Sequence, residues 1–409
     1  MATNLDAIKS LVEKLGGDPS DCTCNLDAIK RLVETLGGDP SNCTTNADAL
    51  DCLCSCEIGG GDIDAMIDRS ITEVTSNATA IGDFTFYGCE ALTSADIPNV
   101  TTIGKNAFYG CNALTSVNFP KATTIGDSAF YGCRALTSAN IPNATTIGIN
   151  TFYFCAALTS ADFPNATTIP KYMFYDCKAL TSANIPNATT IGTSAFWGCK
   201  ALTSVNFPNV TTIAGNTFDG CEALTSADIP NVTTIGEYMF RSCNALTSAD
   251  FPNATTIGKN AFQACNALTS VNFPKATTIG KNAFQACKAL TSVNFPNVTT
   301  IDAEAFYYCE ALTSVDFSNV TKIGIRAFYN SPALTSVIIR STTVPSLGGV
   351  NALQGTPIAS GTGYIYVPSA LVDTYKAATN WSTYADQFRA LEDYTVDGTT
   401  TGELDESKI

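Results

Sequence analysis

Apolar and polar positions along this chain repeat with a step far longer than any helix or strand period. The tetrapeptide Ala-Leu-Thr-Ser begins at Ala91 and returns every 22 residues through Ala333, twelve times in all. Within one unit, Ala91 to Asn112, the apolar side chains are Leu92, Ala95, Ile97, Val100, Ile103, Ala107, Phe108 and Cys111. No single helix or strand produces that spacing. The stretch Leu92-x-x-Ala95-x-Ile97 alternates like a short strand with one inward face. Gly104 to Cys111 predicts a turn leading into one short helical or 3₁₀ turn. A unit of this size cannot bury its apolar face alone, so each copy is read as one coil stacked on the next around a shared core.

The copies are close to identical. Gly258 to Pro274 and Gly280 to Pro296 differ only where Asn266 becomes Lys288. That position follows the unit's cysteine, in a column reading Glu90, Asn112, Arg134, Ala156, Lys178 and onward, which marks it as solvent-facing. The pattern Leu-x-x-Val-x-Phe-Pro-x-x-x-x-Ile-Gly-x-x-Ala-Phe-x-x-Cys, seen from Leu114 to Cys133, resembles the BspA-like leucine-rich repeat of bacterial surface proteins. The resemblance covers about Ser70 to Arg340. It implies an α/β repeat solenoid, curved and right-handed, with a parallel sheet on the concave side, short helical turns on the convex side and a cap at each end. It also implies roles in adhesion and ligand binding. Val100 and Ala122 stand where the commoner repeat signature has Asn or Cys, which is one departure from that signature.

Both ends break the repeat, as caps do. Ser70 to Cys89 keeps the second half of a coil, with its strand out of register. At the other end, Tyr364 to Val367 predicts a strand, followed by a helix after Pro368 and a Trp381, Tyr384, Phe388 set that closes the apolar end. Ahead of the solenoid, Asn4 to Cys24 recurs as Asn25 to Thr45 and in shortened form as Asn46 to Cys56. Each full copy predicts a short amphipathic helix, with Ile8, Leu11, Val12 and Leu15 on one face in the first, ending at Gly-Gly. The expected organisation is therefore a small helical, Cys-containing attachment or oligomerisation module at 1–58, with a linker and the start of the cap at 59–69. The solenoid follows at 70–340, the C-terminal cap at 341–394 and a flexible acidic tail at 395–409.

Composition narrows the function. The 409 residues carry 22 Lys and Arg against 37 Asp and Glu, a net charge of −15, with no basic run to neutralise phosphates. Nucleic-acid binding is not expected. Histidine is absent, which removes Ser-His-Asp and Cys-His nucleophiles and imidazole metal sites. Repeated Ser, Thr and Asp sit in a dozen equivalent environments and gain no unique base, so no enzyme and no cofactor are expected. No window approaches the ~18 apolar residues of a membrane span, and no signal peptide of ordinary type is recognised at the N-terminus.

Four columns carry the remaining chemistry. Eleven cysteines, Cys89 through Cys309, form one ladder, read as buried thiols because stacked neighbours point the same way and hold their Cβ atoms too far apart for disulfides. Six more, Cys22, Cys24, Cys43, Cys52, Cys54 and Cys56, leave disulfides, free thiols and a thiolate metal site open. A polar ladder on the expected concave sheet includes Asp96, Asn118, Asp162, Asp228 and Asp250; two adjacent carboxylates fall well short of a Ca²⁺ shell, so no metal is assigned. The column after Ala-Phe is aromatic in a block, with Tyr109, Tyr131, Tyr153, Tyr175 and Trp197, and gives way to Asp219, Arg241 and Gln263. Such tolerance implies exposure, and an exposed aromatic strip suits stacking on sugar rings or a protein contact; outer packing of ring on ring is the competing reading. Asn-x-Thr triplets, as at Asn99, Asn143, Asn165 and Asn187, are by-products of the repeat.

The expectation is thus a non-enzymatic adhesion protein that presents a repeat surface to a protein or carbohydrate on a cell surface. The alternative is a phage virion structural protein, a fibre or decoration, docked through residues 1–58, which also suit a homo-oligomer or larger assembly. Location follows the same fork: bacterial cell surface or extracellular virion, after synthesis in the cytoplasm.

Overall fold

The structure, a computed structural model, describes residues 69–393 and the antiparallel strand pair Thr395–Val396 and Thr399–Thr400. The expected N-terminal module, its six cysteines and most of the tail lie outside the described residues. Backbone contacts divide the chain into two compact units, Met1–Ala188 and Thr189–Ile409, both built on the same coil.

Each coil opens with a three-residue strand such as Ser94–Asp96 and continues through Pro98 and Asn99 to a two-residue strand, Thr102–Ile103. Both strands pair in parallel with their counterparts one repeat on: Ala95 lies opposite Val117, and Ile103 opposite Ile125. Because a strand alternates its faces, an exact 22-residue step returns the same side chains to the core in every coil. All eight apolar positions from Leu92 to Cys111 are buried. Each unit is a parallel-sheet β-solenoid, with two ladders of short strands around an apolar interior.

The segment expected to form a helical turn does something else. Among the described residues no helix precedes Ser369. In the coil after Ile103, the amides of Asn106, Phe108 and Gly110 donate to Asp127, Ala129 and Tyr131 of the next coil, at 2.9, 2.7 and 2.7 Å. Only the alternate amides, Tyr109 and Cys111, close turns on residues three back. A helix would need every amide turned along its own axis. Here left-handed backbone at Asn106 (φ 53°) and Gly110 (φ 72°) prevents it, residue types that accept that conformation at low cost.

Phenylalanines fill the interior as a stack. Centroids of Phe86, Phe108, Phe130, Phe152 and Phe174 are 4.9 to 5.8 Å apart, and Phe196 through Phe328 repeat the arrangement at 5.3 to 5.5 Å. All eleven ladder cysteines are buried. In the second unit the Cys221, Cys243, Cys265, Cys287 and Cys309 thiols each donate to the carbonyl of the phenylalanine 25 residues earlier, at 3.2, 3.2, 3.1, 3.2 and 3.2 Å. Ser331 ends the column and makes the same bond to Phe306, at 3.2 Å. Cys243→Ser is therefore expected to cost no more than about 1.5 kcal/mol in urea denaturation. A loss above about 3 kcal/mol would mean that sulfur packing, and not its donor role, holds the position.

At the start of the solenoid, Glu73 pairs with Ser94 whereas Ala80 pairs with Thr102. The first coil is thus one residue short between its two strands, which is why its strand looks out of register in the sequence. At the far end, Tyr364–Val367 extends the ladder beside Ser336–Ile339, and Phe388–Ala390 follows it. A short helix, Val372–Ala377, brings buried Tyr375 against Trp381 and Phe388. Trp381 donates to the Pro345 carbonyl at 2.7 Å and Tyr384 to that of Val350 at 2.5 Å. These indole and phenol groups stay bonded while their rings cover the last coil.

Candidate functional site

The aromatic column follows the buried Ala-Phe pair, so the same turn that sends Phe108 inward sends Tyr109 outward. In the first unit, Tyr87, Tyr109, Tyr131, Tyr153 and Tyr175 stack face to face, with centroids 4.9, 4.6, 4.7 and 4.5 Å apart and planes within 12°. Four are half-buried, and Tyr87 is 37% exposed. Burial, then the neighbouring phenols, pushes Tyr109, Tyr131 and Tyr153 up from the ordinary 10.0, so the hydroxyls are neutral donors. Both faces of Tyr109, Tyr131 and Tyr153 are covered by their neighbours. What the strip offers outward is ring edges and phenol oxygens.

Trp197 stands in the second unit and its surroundings differ. Its indole donates to Asp219 at 3.0 Å, and Arg241 grips the same carboxylate through Nε at 2.9 Å. Asp219, only 3% exposed, is thus a buried anion held by a paired cation. Arg241 also lies over the Tyr238 ring, 4.8 Å from its centroid. Further along, Gln263 donates to Gln285 at 2.7 Å, and Tyr307 stacks on Tyr329 at 5.2 Å. So the structure brings Tyr109, Tyr131, Tyr153 and Tyr175 into one stack and gives Trp197 polar partners of its own.

The strand-face ladder bonds to itself at several steps. Asn118 donates to Asp96 at 2.8 Å, Asn184 to Asp162 at 2.7 Å, and Asn272 to Asp250 at 2.9 Å. Asp228 lies in register with Asn206 and is exposed. Among the described residues, no group of three or more Cys, Asp or Glu side chains could hold a metal ion. The Asn-x-Thr asparagines are held too: Asn143, Asn165 and Asn187 donate to proline carbonyls of the preceding coil at 2.6, 3.2 and 2.8 Å. That bond gives the recurring triplet a structural reason.

Two residues at the strip escaped sequence reasoning. Phe154 meets Tyr153 edge-on at 4.6 Å, and Tyr172 meets Tyr175 edge-on at 5.9 Å. Their signal was present in the columns: Phe154 stands where Gly110 and Gly132 stand, and Tyr172 where Asn106 and Ser128 stand.

Coil and register define a leucine-rich repeat protein. A model of the BspA type leucine rich repeat region matches residues 79–190, 167–290 and 233–349, and the chain belongs to that family. A leucine-rich repeat protein of Bacteroides ovatus is similar at 23% identity and a TM-score of 0.58, over 76% of this chain and 87% of that one. A leucine rich cell surface protein of Faecalibacterium prausnitzii is 30% identical over 65% of this chain and 84% of its own, with a TM-score of 0.44. No curated protein matches the chain. Among the described residues, no helix is long and apolar enough to cross a membrane.

Proposed function

We propose that this is a non-enzymatic adhesion protein of the cell surface, which holds a macromolecular partner through the tyrosine strip Tyr109, Tyr131, Tyr153 and Tyr175. The observation that carries the reading is the stack itself. Five consecutive coils place a tyrosine in a column that elsewhere works with Asp219, Gln263 or Gln285, so coil stacking does not demand the rings. A partner on a cell surface agrees with the family and with the name of the similar Faecalibacterium protein.

The test uses the chain's own alternative. Tyr131→Gln, Tyr153→Gln and Tyr175→Gln together would replace rings by the amide ladder seen at Gln263 and Gln285. Binding of the labelled full-length chain to arrays of extracellular proteins and of glycans is expected to fall at least about tenfold, with stability kept within about 1 kcal/mol. Unchanged binding would remove the strip from the proposal.

A second reading, a structural protein of a phage particle docked through residues 1–58, draws on the ladder of buried thiols, which needs no oxidising compartment. Recovery of the chain from purified virions would establish it.

A further inference from the structure

Resting on the strip reading, we infer that Phe154 and Tyr172 widen the tyrosine stack into a contact centre around Tyr153 that takes an acidic segment of a protein partner. The first support is backbone strain. Phe154 (φ 59°) and Tyr172 (φ 58°) hold left-handed conformations that bulky side chains adopt rarely and at a cost. Their counterparts in other coils are Gly110 and Gly132, and Asn106 and Ser128, so the coil closes without an aromatic at either place. Five left-handed positions of the described chain hold an aromatic, and every one leans on the strip column. Phe84 meets Tyr87 at 5.9 Å, Tyr238 meets Arg241 at 4.8 Å, and Tyr308 meets Tyr307 at 4.5 Å. The left-handed backbone belongs to the coil, which also places Ala264, Ala286, Glu304 and Arg326 there; what sets these five positions apart is a ring beside the column.

The second support is convergence. Tyr153 stacks between Tyr131 and Tyr175 and meets Phe154 and Tyr172 edge-on, at 4.6 and 6.3 Å. Phe154 also reaches the edges of Tyr131 at 6.3 Å and of Tyr175 at 6.0 Å. Five half-buried rings gather in two adjacent coils and their neighbour, a density of aromatics typical of the energetic centre of a protein interface.

The third support concerns the partner's chemistry. Sugar binding by aromatics uses a ring face, and in the middle of this stack the faces are occupied. Ring edges carry the positive side of the quadrupole, so they favour oxygen acceptors. The rim has the same sign: Lys171 lies 5.7 Å from the Tyr172 centroid, and Arg134 is exposed in the same coils. The acidic neighbours are engaged, Asp176 with Lys178 at 3.2 Å and Asp127 with the Ile149 amide at 2.9 Å. In a chain of net charge −15, this local excess of positive edge and cation selects for carboxylates.

The experiment selects binders of the full-length chain from a displayed library of random peptides and measures the enriched peptides in solution. Enrichment of Asp and Glu beside an apolar residue is expected, with affinity that falls as salt rises. Phe154→Gly with Tyr172→Asn should weaken those peptides about tenfold or more while the melting temperature holds or rises, because the strain is gone. Lys171→Glu, which leaves every ring in place, should weaken them as well. Peptides that bind the double variant as well as the parent would overturn the widened centre, and if Tyr131→Gln, Tyr153→Gln and Tyr175→Gln still abolish binding, the strip reading alone survives. Absence of acidic enrichment, indifference to Lys171→Glu, or glycan binding that disappears with the tyrosines would overturn the partner class. A double variant that melts lower would show the two rings to be packing residues and would overturn the inference too.

Discussion

Raising the pH past about 9 is expected to unfold the solenoid, with the thiol ladder setting the midpoint. Burial pushes the thiols of Cys133, Cys155, Cys177, Cys221, Cys243, Cys265 and Cys287 up from an ordinary 9.0, and that of Cys309 up to about 12. The folded values lie above the unfolded one. Their contribution is therefore complete below about pH 9 and is lost as pH climbs toward the folded values. Each thiol that ionises only in the unfolded chain removes about 1.4 kcal/mol per pH unit. Several acting together exhaust the ~5–15 kcal/mol of an ordinary fold within about two units. A thiolate also loses the hydrogen bond that each thiol donates to a phenylalanine carbonyl, as Cys243 does to Phe218. Circular dichroism against pH measures the transition. Replacing Cys221, Cys243, Cys265 and Cys287 by Ala should move its midpoint upward. A midpoint that stays put would assign the transition to other groups, with Tyr375 first, since burial raises it as well but from an ordinary 10.0.

The thiol ladder was open to sequence reasoning because burial is a matter of spacing. Leu92, Ala95, Ile97 and their fellows repeat at fixed offsets, and a coil that stacks on its own copy has one way to bury them all. The direction of backbone amides leaves a fainter trace. Gly104 to Cys111 is compact enough to suggest a helical turn, and only the frequent Asn, Ser and Gly in the columns of Asn106 and Gly110 hint at two left-handed residues that turn alternate amides toward the next coil. The strip divides in the same manner. Substitution by Asp219, Arg241 and Gln263 makes the column's exposure visible, but it cannot say whether rings present faces or edges. That depends on the coil spacing, which at 4.5 to 4.9 Å between centroids leaves room for ring on ring and nothing between. Sugar stacking, open from sequence, loses its main surface for that reason. Phe154 and Tyr172 show in the sequence as changes of residue type within their columns, but nothing there tells that the backbone is left-handed and sets each ring against the strip.

Phe262→Ala is expected to cost about 3–5 kcal/mol and to loosen coils on both sides of it. The ring stacks at 5.3 Å on both Phe240 and Phe284 and meets the second phenylalanine row at Phe273, 5.8 Å away. Its removal therefore weakens two coil interfaces, and no sequence-distant element can close the void, because each coil touches only its neighbours. Phe86 offers the contrast. Among the described residues it stacks on Phe108 alone, at 4.9 Å, in the first coil. Phe86→Ala should cost less, since one interface is lost and a terminal coil can fray without exposing the rest. Hydrogen exchange separates the two outcomes: faster exchange on either side of Phe262 in the first variant, and faster exchange confined to the opening coils in the second. Equal costs with exchange raised throughout would mean that the solenoid melts as one block, and the nearest-neighbour account of its stability would then fail.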